Sequence, residues 1–508
     1  MSDAAALLSP TARMTVPRWL PLVAVFALAA CVRGVLDIHP DVSWGLTMAE
    51  KVLDGQKLYV DVIEPNPPAT MFLYVVPAWL ARLAGLRAEF VGGALGLFAA
   101  ALSLWLAGRI LVSAKLLADR DGWVLATIAA AALTILPGAT FGEREHVGLI
   151  VFLPFLAASA VRAAGRQLDL PMAIVAGIGA GIAVVLKPHF AVAIIATAAA
   201  SAMCARSWRP LFAIEDWTAA AVAIAYGAWV AIAYPQFISD VLPLVVAVYV
   251  PVKAEFWPFV VAFATPAWLL ALALIALLKR RAMLEPPFCL LLAASFGFAI
   301  SYYVQQKGWA YHAYPMLALA LIALAIAFID RWHGGPTGID VRTDNRWARL
   351  ASAIIATLIA GFTFCWMSGH PDRSRLAAAV RTLKPHPKML AISGDLAIGH
   401  PLTRQVEGIW VGRMPSLWIS SGVLLRQRYE TLDAQTIARL NAYAARDRAM
   451  LAEDIARQRP DVILVERSKS CDCKAWANSD PLLAHQLEHY RDYETVDDVL
   501  ILRRGESS

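Results

Sequence analysis

Residues 125–161 read LATIAAAALTILPGATFGEREHVGLIVFLPFLAASAV, in which four consecutive ionisable residues, EREH at 143–146, separate two apolar runs. Each run is close to the length that an α-helix needs to cross the hydrocarbon core of a bilayer. Four ionisable side chains beside such runs are costly unless water, a partner or a ligand meets them. The stretch therefore predicts two membrane-spanning helices joined by a connection that faces something polar.

The composition of the whole chain agrees with this prediction. Of the 508 residues, 59% are hydrophobic and 17% are charged, and the mean hydropathy is +0.57. This apolar share exceeds that of an ordinary soluble domain. The net charge of +6 could suggest a nucleic-acid partner, but the basic residues lie in short clusters between apolar runs, so we exclude nucleic acid. We predict a polytopic α-helical membrane protein.

The apolar runs predict about eleven transmembrane helices, since each has roughly the length needed to cross with some tilt. They lie at 18–36, 89–111, 123–140, 147–163, 171–186, 189–204, 217–234, 261–278, 286–303, 313–329 and 349–367. A twelfth candidate, residues 69–86, is interrupted by Pro77 and Arg82. If it does not cross, nearly every basic cluster falls on the side of the N-terminus, as the positive-inside rule expects. We therefore predict that 69–86 is a juxtamembrane or re-entrant helix on the outer face.

The same orientation predicts a cytoplasmic N-terminus in a membrane of the bacterial inner-membrane type. It also brings five unusual motifs to the opposite, extracytoplasmic face. They are HPD at 39–41, EPNPP at 64–68, EREH at 143–146, KPHF at 187–190 and QQKGWAYH at 305–312. We expect these motifs to surround a polar cavity at the outer membrane surface.

The composition changes near residue 370. KMLAISGD, RPDVILVERS and TVDDVLILRR are typical of short strands, and TLDAQTIARLNAYAARDRAMLAEDIARQ is typical of a helix. We predict a transmembrane domain over 1–369, whose first extracytoplasmic loop is 37–88, and a soluble α/β domain over 370–508 on the periplasmic side. The α/β domain carries no catalytic motif, which favours a lid or docking role, and the chain has no Walker loop or dinucleotide fingerprint.

Residues 39–68, HPDVSWGLTMAEKVLDGQKLYVDVIEPNPP, resemble the first outer loop of the GT-C superfamily of polytopic glycosyltransferases, which use polyprenyl-phosphate-linked sugars. In that pattern an acidic residue follows the first span, and an amphipathic helix then leads to a G-x-x-Y-x-D phrase and a Pro-Pro pair. The matching residues are Asp41, Gly55, Tyr59, Asp61, Pro67 and Pro68. Many relatives have a second acidic residue after the first and a Lys before Pro-Pro, where this chain has Val42 and Asn66.

The resemblance, to members of the aminoarabinose-transferase and protein-mannosyltransferase type, implies inverting transfer of one sugar from a polyprenyl phosphate to an envelope glycan or lipid. Such a reaction needs a carboxylate that accepts the proton of the acceptor hydroxyl, and cations that hold the phosphate. Asp41 is the first candidate for the base. Glu143 or Glu145 could instead act as base, orient the acceptor or, with Asp41, bind a divalent cation, since hard cations favour carboxylate oxygen.

Further residues of the five motifs are candidates for binding the donor phosphate or the rest of the substrate. Arg and Lys pair well with phosphate oxygens, and a suitably held His can donate to them. Lys187 or Lys307 could supply the charge that Asn66 lacks, and Trp309 and Tyr311 could stack on a sugar. The candidates are Glu64, Arg144, His146, Lys187, His189, Lys307, Trp309, Tyr311 and His312.

Each assignment has a structural alternative. Asp41 could cap the helix that follows it, a single basic residue could extend toward lipid headgroups, and Trp309 and Tyr311 could belong to the interfacial aromatic belt. Two other functions also stay open, a lipid-linked glycan ligase or polymerase and a transporter or flippase of envelope precursors. The convergence of the motifs on one face favours the transferase.

Overall fold

Most of the described residues up to 368 lie in helices, and most of these helices are apolar. The structure, a computed structural model, describes residues 17–117, 119–279, 286–332, 346–369, 371–468 and 471–505. In chain order the helices of this part are α1 Leu20–Val35, α2 Pro40–Leu53, α3 Ala69–Ala84, α4 Ala88–Ser113, α5 Asp119–Thr134, α6 Arg144–Ala163, α7 Leu170–Leu186, α8 Ala191–Ala205, α9 Ile214–Ala233, α10 Phe237–Tyr249, α11 Phe256–Val261, α12 Ala264–Lys279, α13 Pro286–Gln305, α14 Ala310–Trp332 and α15 Arg346–Ser368.

The eleven predicted spans all coincide with helices of the structure, and the polytopic helical fold class is confirmed. Within the described residues, seven helices are long and apolar enough to cross a membrane, or up to eight if α1 and α2, bent by 78°, form one span. Helices α5, α7 and α12 are apolar but shorter. The orientation of the helices stays a prediction, and two of the basic clusters behind it fall partly at 280–285 and 333–345, outside the described residues.

Helices α6 and α14 form the centre of the bundle, since most of each apolar window is buried. Small residues let the neighbouring backbones approach them closely. A Cβ atom at Gly179 of α7 would lie 2.3 Å from the carbonyl oxygen of Val151, and one at Gly297 of α13 would lie 2.5 Å from Cα of Ala193. The first contact packs α7 closely against α6, and the second packs α13 closely against α8.

The bend between α1 and α2 is built from His39 and Pro40. His39 is the N-cap of α2 and Pro40 takes the first helical position, where a missing N–H costs nothing. Helix α2 packs against α3 so closely that a Cβ atom at Gly45 would lie 2.2 Å from the ring of Tyr74. The opposite side of α3 exposes apolar side chains, among them Trp79 and Leu83, as a juxtamembrane helix would.

The C-terminal part is an α/β structure with one five-stranded sheet, in the order β2-β1-β3-β5-β4. Strand β1 is parallel to β2 and β3, whereas β5 is antiparallel to β3 and β4. The three predicted strands correspond to β1, β3 and β5, whereas β2 and β4 were not predicted. The strands are β1 Lys388–Ile392, β2 Ile409–Trp410, β3 Val462–Glu466, β4 Tyr490–Val496 and β5 Val499–Arg504, and the helices are α16 Ser374–Leu383, α17 Leu396–Gly399, α18 Leu402–Gln405, α19 Trp418–Tyr429, α20 Ala434–Gln458, α21 Cys473–Asn478 and α22 Pro481–Leu487.

This C-terminal part contacts α2 directly. Arg404 of α18 makes two hydrogen bonds to the carboxylate of Glu50, at 2.7 and 2.9 Å, and a third of 2.7 Å to Glu89 at the start of α4. Buried His400 lies 3.4 Å from the hydroxyl of Ser43. Bidentate Arg–carboxylate pairs fix orientation as well as distance. The C-terminal α/β part therefore holds α2 in place through its contacts with Glu50 and Ser43.

Candidate active site

Three ionisable side chains meet where α2 and α6 begin, and we call them the acid cluster: His39, Asp41 and Glu143. Nδ1 of His39 lies 2.7 Å from Oε1 of Glu143 and 3.3 Å from Oδ2 of Asp41. His39 caps α2 and Glu143 caps α6, so the positive ends of two helix dipoles point toward the cluster. The cap of α2 is His39, so the structure does not support the alternative that Asp41 is there as a helix cap.

The charges of the cluster depend on one another. Although burial opposes it, the carboxylates of Glu143 and Asp41 raise the pKa of His39 to about 10. Burial and the nearby charge of Asp41 raise the pKa of Glu143 to about 7. The Asp41 side chain is 34% exposed and that of Glu143 is 1% exposed. Asp41 is therefore the carboxylate of the cluster that an incoming hydroxyl can reach.

Two aromatic residues at the start of α14 flank Asp41. Tyr311 is within hydrogen-bonding reach of the Asp41 carboxylate, and its ring meets His39 edge-on with centroids 5.1 Å apart. Trp309 stacks on Tyr311 at 5.8 Å and is 39% exposed. The partly exposed ring of Trp309 is the kind of surface on which a sugar ring stacks.

A chain of hydrogen bonds links Arg144 to the loop between α2 and α3. The guanidinium of Arg144 donates to the side-chain oxygen of Asn66, whose amide nitrogen donates to Glu64. Glu64 also accepts a 2.6 Å hydrogen bond from the indole of Trp44 and one of 3.1 Å from the Asn66 backbone. The charge of Arg144 also acts on Asp41. Asn66 therefore orients a cation that stands close to the accessible carboxylate.

A second buried group is centred on Glu145. Its Oε1 accepts from the ammonium of Lys187 and lies 3.3 Å from Nε2 of His312. The other oxygen of Glu145 and Nδ1 of His312 are buried and have no partner among the described residues. The same is true of Oε2 of Glu143. Buried polar atoms without partners are rare in folded proteins, so this site retains unused hydrogen-bonding capacity.

Three of the predicted binding residues lie outside the acid cluster, and their role in binding stays a prediction. Nε2 of His146 lies 2.6 Å from the carbonyl oxygen of Leu133, and its Nδ1 accepts from the backbone N–H of Gly142, so neither nitrogen is open to a phosphate. Lys307 donates to the carbonyl oxygens of Tyr249 and Val252, at 2.6 and 2.5 Å. His189 has an exposed side chain in the turn before α8, and its backbone carbonyl oxygen accepts a hydrogen bond from Ser301.

The sequence reasoning left His39 and Trp44 without a role. His39 immediately precedes Pro40, and proline is common at the first position of a helix, so the sequence could have indicated that His39 is an N-cap. An N-cap at this position would lie close to the Asp41 carboxylate, two residues later. Trp44 gave no such signal, because its contact with Glu64 depends on how residues 54–63 return to α2. The sequence comparison showed only that Asn66 lacks the positive charge of the Lys found in relatives. In the structure the side chain of Asn66 links Glu64 and Arg144 by hydrogen bonds.

The donor set of the acid cluster also fits a divalent cation. One ligand atom each of His39, Asp41 and Glu143 lie within 4.8 Å of one another. Glu145, included in the predicted metal set, is engaged with Lys187 instead. A cation would take the place of the proton on His39, because a metal-binding imidazole is neutral. When bound, it would supply electrostatic stabilisation of negative charge.

Comparisons with known proteins show a similar fold at low sequence identity. No family model matches the chain, and no curated protein matches it in sequence. The structure of ArnT from Cupriavidus metallidurans bound to undecaprenyl phosphate has a TM-score of 0.54 at 13% identity and covers 94% of this chain and 97% of that one. The apo ArnT structure has a TM-score of 0.53, also at 13% identity, with the same coverage. The archaeal oligosaccharyltransferase AglB from Archaeoglobus fulgidus, in complex with an inhibitory peptide and a dolichol-phosphate, has a TM-score of 0.43 at 14% identity and covers 93% of this chain and 72% of that one.

The agreement with ArnT extends over the transmembrane helices and the C-terminal α/β part, because both chains are covered almost completely. It confirms the fold that the first outer loop predicted. The chain therefore has a fold similar to that of ArnT over nearly its whole length.

Proposed function

We propose that the protein is a membrane glycosyltransferase that moves one sugar from a polyprenyl phosphate to a glycan or lipid of the cell envelope. The observation that carries this proposal is the position of Asp41, a reachable carboxylate beside a cation, Arg144, at the start of α2 and α6. The fold supports it, since ArnT was solved with undecaprenyl phosphate bound. We further propose that residues 1–369 form the transmembrane domain of a bacterial inner-membrane protein and that residues 370–508 lie in the periplasm.

Asp41 is the general base of the proposed reaction. Its carboxylate takes the proton of the acceptor hydroxyl while that oxygen attacks the anomeric carbon of the donor. His39, charged and held by Glu143, keeps the Asp41 carboxylate ionised and oriented. Tyr311 orients the same carboxylate from the side of α14.

Arg144 binds the phosphate that leaves from the sugar. A guanidinium aimed in advance at developing negative charge stabilises the transition state without reorganisation. The side chains of Glu64 and Asn66 fix Arg144 from behind and leave its other N–H groups for the ligand. In this chain the cation required near Pro-Pro is thus supplied by α6 rather than by the residue before Pro67.

The Glu145 group supports the phosphate site from the other side. Lys187 and His312 are buried against one carboxylate oxygen of Glu145, the residue that follows Arg144 in α6. An anion that reached them would compete with Glu145 for Lys187. We assign these residues to positioning and to the electrostatics of the site, and Trp309 to contact with the sugar.

A transfer assay tests the proposed function against its alternatives. Purified protein in detergent is incubated with a radiolabelled polyprenyl-phosphate monosaccharide and an extract of envelope lipids and glycans. We expect label to appear in an envelope acceptor. A transporter or flippase would form no covalent product, and a ligase or polymerase would act only on an oligosaccharide linked through a diphosphate, so either result would contradict the proposal. Repeating the assay with a chelator measures any dependence on a divalent cation.

The orientation of the chain gives a separate prediction. If α3 does not cross, a reporter fused after Arg87, between α3 and α4, lies on the extracytoplasmic side. A reporter fused after Lys115, beyond the 26-residue helix α4, is the matched control and should lie in the cytoplasm. Alkaline phosphatase and fluorescent-protein fusions measure the two sides. A cytoplasmic signal after Arg87 would put every motif described above on the wrong face.

A further inference from the structure

The five-stranded sheet has a topological switch point between β1 and β3. The chain leaves β1 through α17 and α18 to reach β2 on one side, and it returns through α19 and α20 to β3 on the other side of β1. Strands β1, β2 and β3 are parallel. In open α/β sheets, ligands bind outside the carboxyl ends of the strands where the connections diverge in this way. The segments that follow Ile392 of β1 and Glu466 of β3 therefore mark a crevice in which a ligand is expected.

The two sides of this crevice differ. At the end of β3, the carboxylate of Glu466 already accepts a 2.7 Å hydrogen bond from the hydroxyl of Ser393. At the end of β1, Asp395 caps α17 and lies 3.9 Å from Nη2 of Arg373. Arg373 and Ala397, the second residue of α17, line a cavity of about 350 Å³. The cavity is therefore on the β1 side of the switch point.

The cavity, which we call the crevice site, lies between the C-terminal α/β part and the connection from α1 to α2. Asp37 and Pro40 of that connection line it, together with residues between 371 and 405. Ligand sites commonly lie between domains and have volumes of about 300–1,000 Å³. The crevice site is therefore large enough for one small ligand group.

The charges of its lining balance one another. They belong to two carboxylates, Asp37 and Asp372, and two guanidinium groups, Arg373 and Arg381. Asp37 accepts a 2.9 Å hydrogen bond from Gln405, and Asp372 accepts one from a backbone N–H. Arg373 donates to a carboxylate outside the lining. An anion or a cation in the site would meet a like charge as well as an opposite one, so the lining favours a neutral polar ligand.

The hydrogen-bonding groups of the lining match the hydroxyl groups of a sugar. A hydroxyl both donates and accepts, and an ionised carboxylate can accept about four hydrogen bonds. Nε of Arg373 is a buried donor without a partner among the described residues. Arg381 is exposed and donates from Nη2 to a backbone carbonyl oxygen. Pro40 and Pro401 add apolar surface to the same lining, which suits the C–H faces of a sugar ring.

We propose that the crevice site binds a neutral sugar unit of the acceptor glycan. The assignment to the acceptor rests on the proposed function, because Pro40 of the lining directly precedes Asp41, the base that the acceptor hydroxyl must reach. The balanced lining does not suit the donor phosphate, which is assigned to Arg144. A sugar unit held here keeps the acceptor beside the start of α2 while another of its hydroxyl groups reacts. The C-terminal α/β part thus binds the acceptor as well as holding α2.

The binding test uses the purified full chain in a detergent without a sugar headgroup, because a maltoside would compete for the site. Saturation-transfer difference NMR is recorded with glucose, galactose, mannose and N-acetylglucosamine, and with disaccharides of each. We expect difference signals from at least one of these sugars. Arg381→Gln and Asp37→Asn should each weaken the binding of that sugar about tenfold, the effect of one lost hydrogen bond to a charged group. Both side chains are exposed, so we expect both variants to fold.

Two variants outside the lining are the matched controls. Arg375→Gln removes a guanidinium of the same helix, α16, that is paired with Asp497. Asp54→Asn removes an exposed carboxylate at the other end of α2. Both should bind the sugar like the unchanged protein. No difference signal from any of the sugars, unchanged binding in both Arg381→Gln and Asp37→Asn, or displacement of the sugar by inorganic phosphate would each overturn the proposal.

Transfer kinetics separate this proposal from the proposed function. Arg381→Gln and Asp37→Asn should raise the KM for the acceptor about tenfold, in line with the weaker binding, and leave kcat and the KM for the donor nearly unchanged. An unchanged acceptor KM in both variants would overturn the assignment to the acceptor. If sugar binding depended on Arg381 but no labelled product formed, the proposed function would be contradicted and the sugar site would stand.

Discussion

Asp41→Asn is expected to lower sugar-transfer turnover by about 10²–10⁴-fold, the usual effect of losing a positioned acid or base. Asn has nearly the shape of Asp, so it keeps the packing at the start of α2 but cannot take a proton from the acceptor. Donor binding should change less than turnover, because Asp41 acts on the acceptor hydroxyl. Initial rates with the labelled polyprenyl-phosphate sugar measure the first quantity, and retention of donor by the purified variant measures the second.

Asp54→Asn is the matched control. Asp54 follows the last residue of α2, its side chain is mostly exposed, and its salt bridge to Arg82 is on the surface. Exposed salt bridges contribute little to stability, so this variant should turn over like the unchanged protein. Near-normal turnover of Asp41→Asn would remove Asp41 as the base, and Glu143→Gln would become the variant to examine.

Arg144→Gln is expected to weaken binding of the phosphate-linked donor by roughly 10- to 150-fold, since a charge-assisted hydrogen bond contributes about 1.5–3 kcal/mol. Gln can still donate to Asn66, so the first outer loop should keep its conformation. The thermal unfolding midpoint is expected to move little. Titration with unlabelled undecaprenyl phosphate, read as competition against labelled donor, gives the affinity.

Lys307→Gln provides the comparison for this prediction. The ammonium of Lys307 is held by two carbonyl oxygens and lies over the ring of Tyr249, so we expect its removal to affect the end of α10 more than donor affinity. If Lys307→Gln weakened donor binding and Arg144→Gln did not, the phosphate would have to be bound beside α10. Lys187→Gln is less informative, because it would leave Glu145 buried without its cation, which is destabilising in itself.

The motif EREH shows where prediction from sequence ended. Hydropathy located the helices on both sides of it, because twenty apolar residues in a row have few other stable environments. It could not separate the roles of four adjacent residues at a helix start, where each step along the chain turns the side chain by about 100°. Glu143 turns to His39, Arg144 to Asn66 and Glu145 to Lys187.

His146, the fourth residue, turns into the bundle and binds backbone. From the sequence alone His146 was a candidate for the donor phosphate like Arg144, because a histidine can also donate to phosphate oxygens. The contact of Asn66 was not predicted, since its own side chain lacks charge and its partner, Arg144, lies 78 positions later. Strands β2 and β4 were missed because one has two residues and the other is largely exposed, so neither has the pattern of a buried strand.

The contact between Arg404 and Glu50 has a consequence for biosynthesis. The chain is made from its N-terminus, so α2 leaves the ribosome some 350 residues before the guanidinium that holds its carboxylate. Until that late segment is made and folded, Glu50 lacks its cation, and the C-terminal α/β part cannot fix the helix that begins beside Asp41. A nascent or prematurely terminated chain would thus be inserted in the membrane yet catalytically silent, and the cell would gain activity only when the last part of the protein arrived.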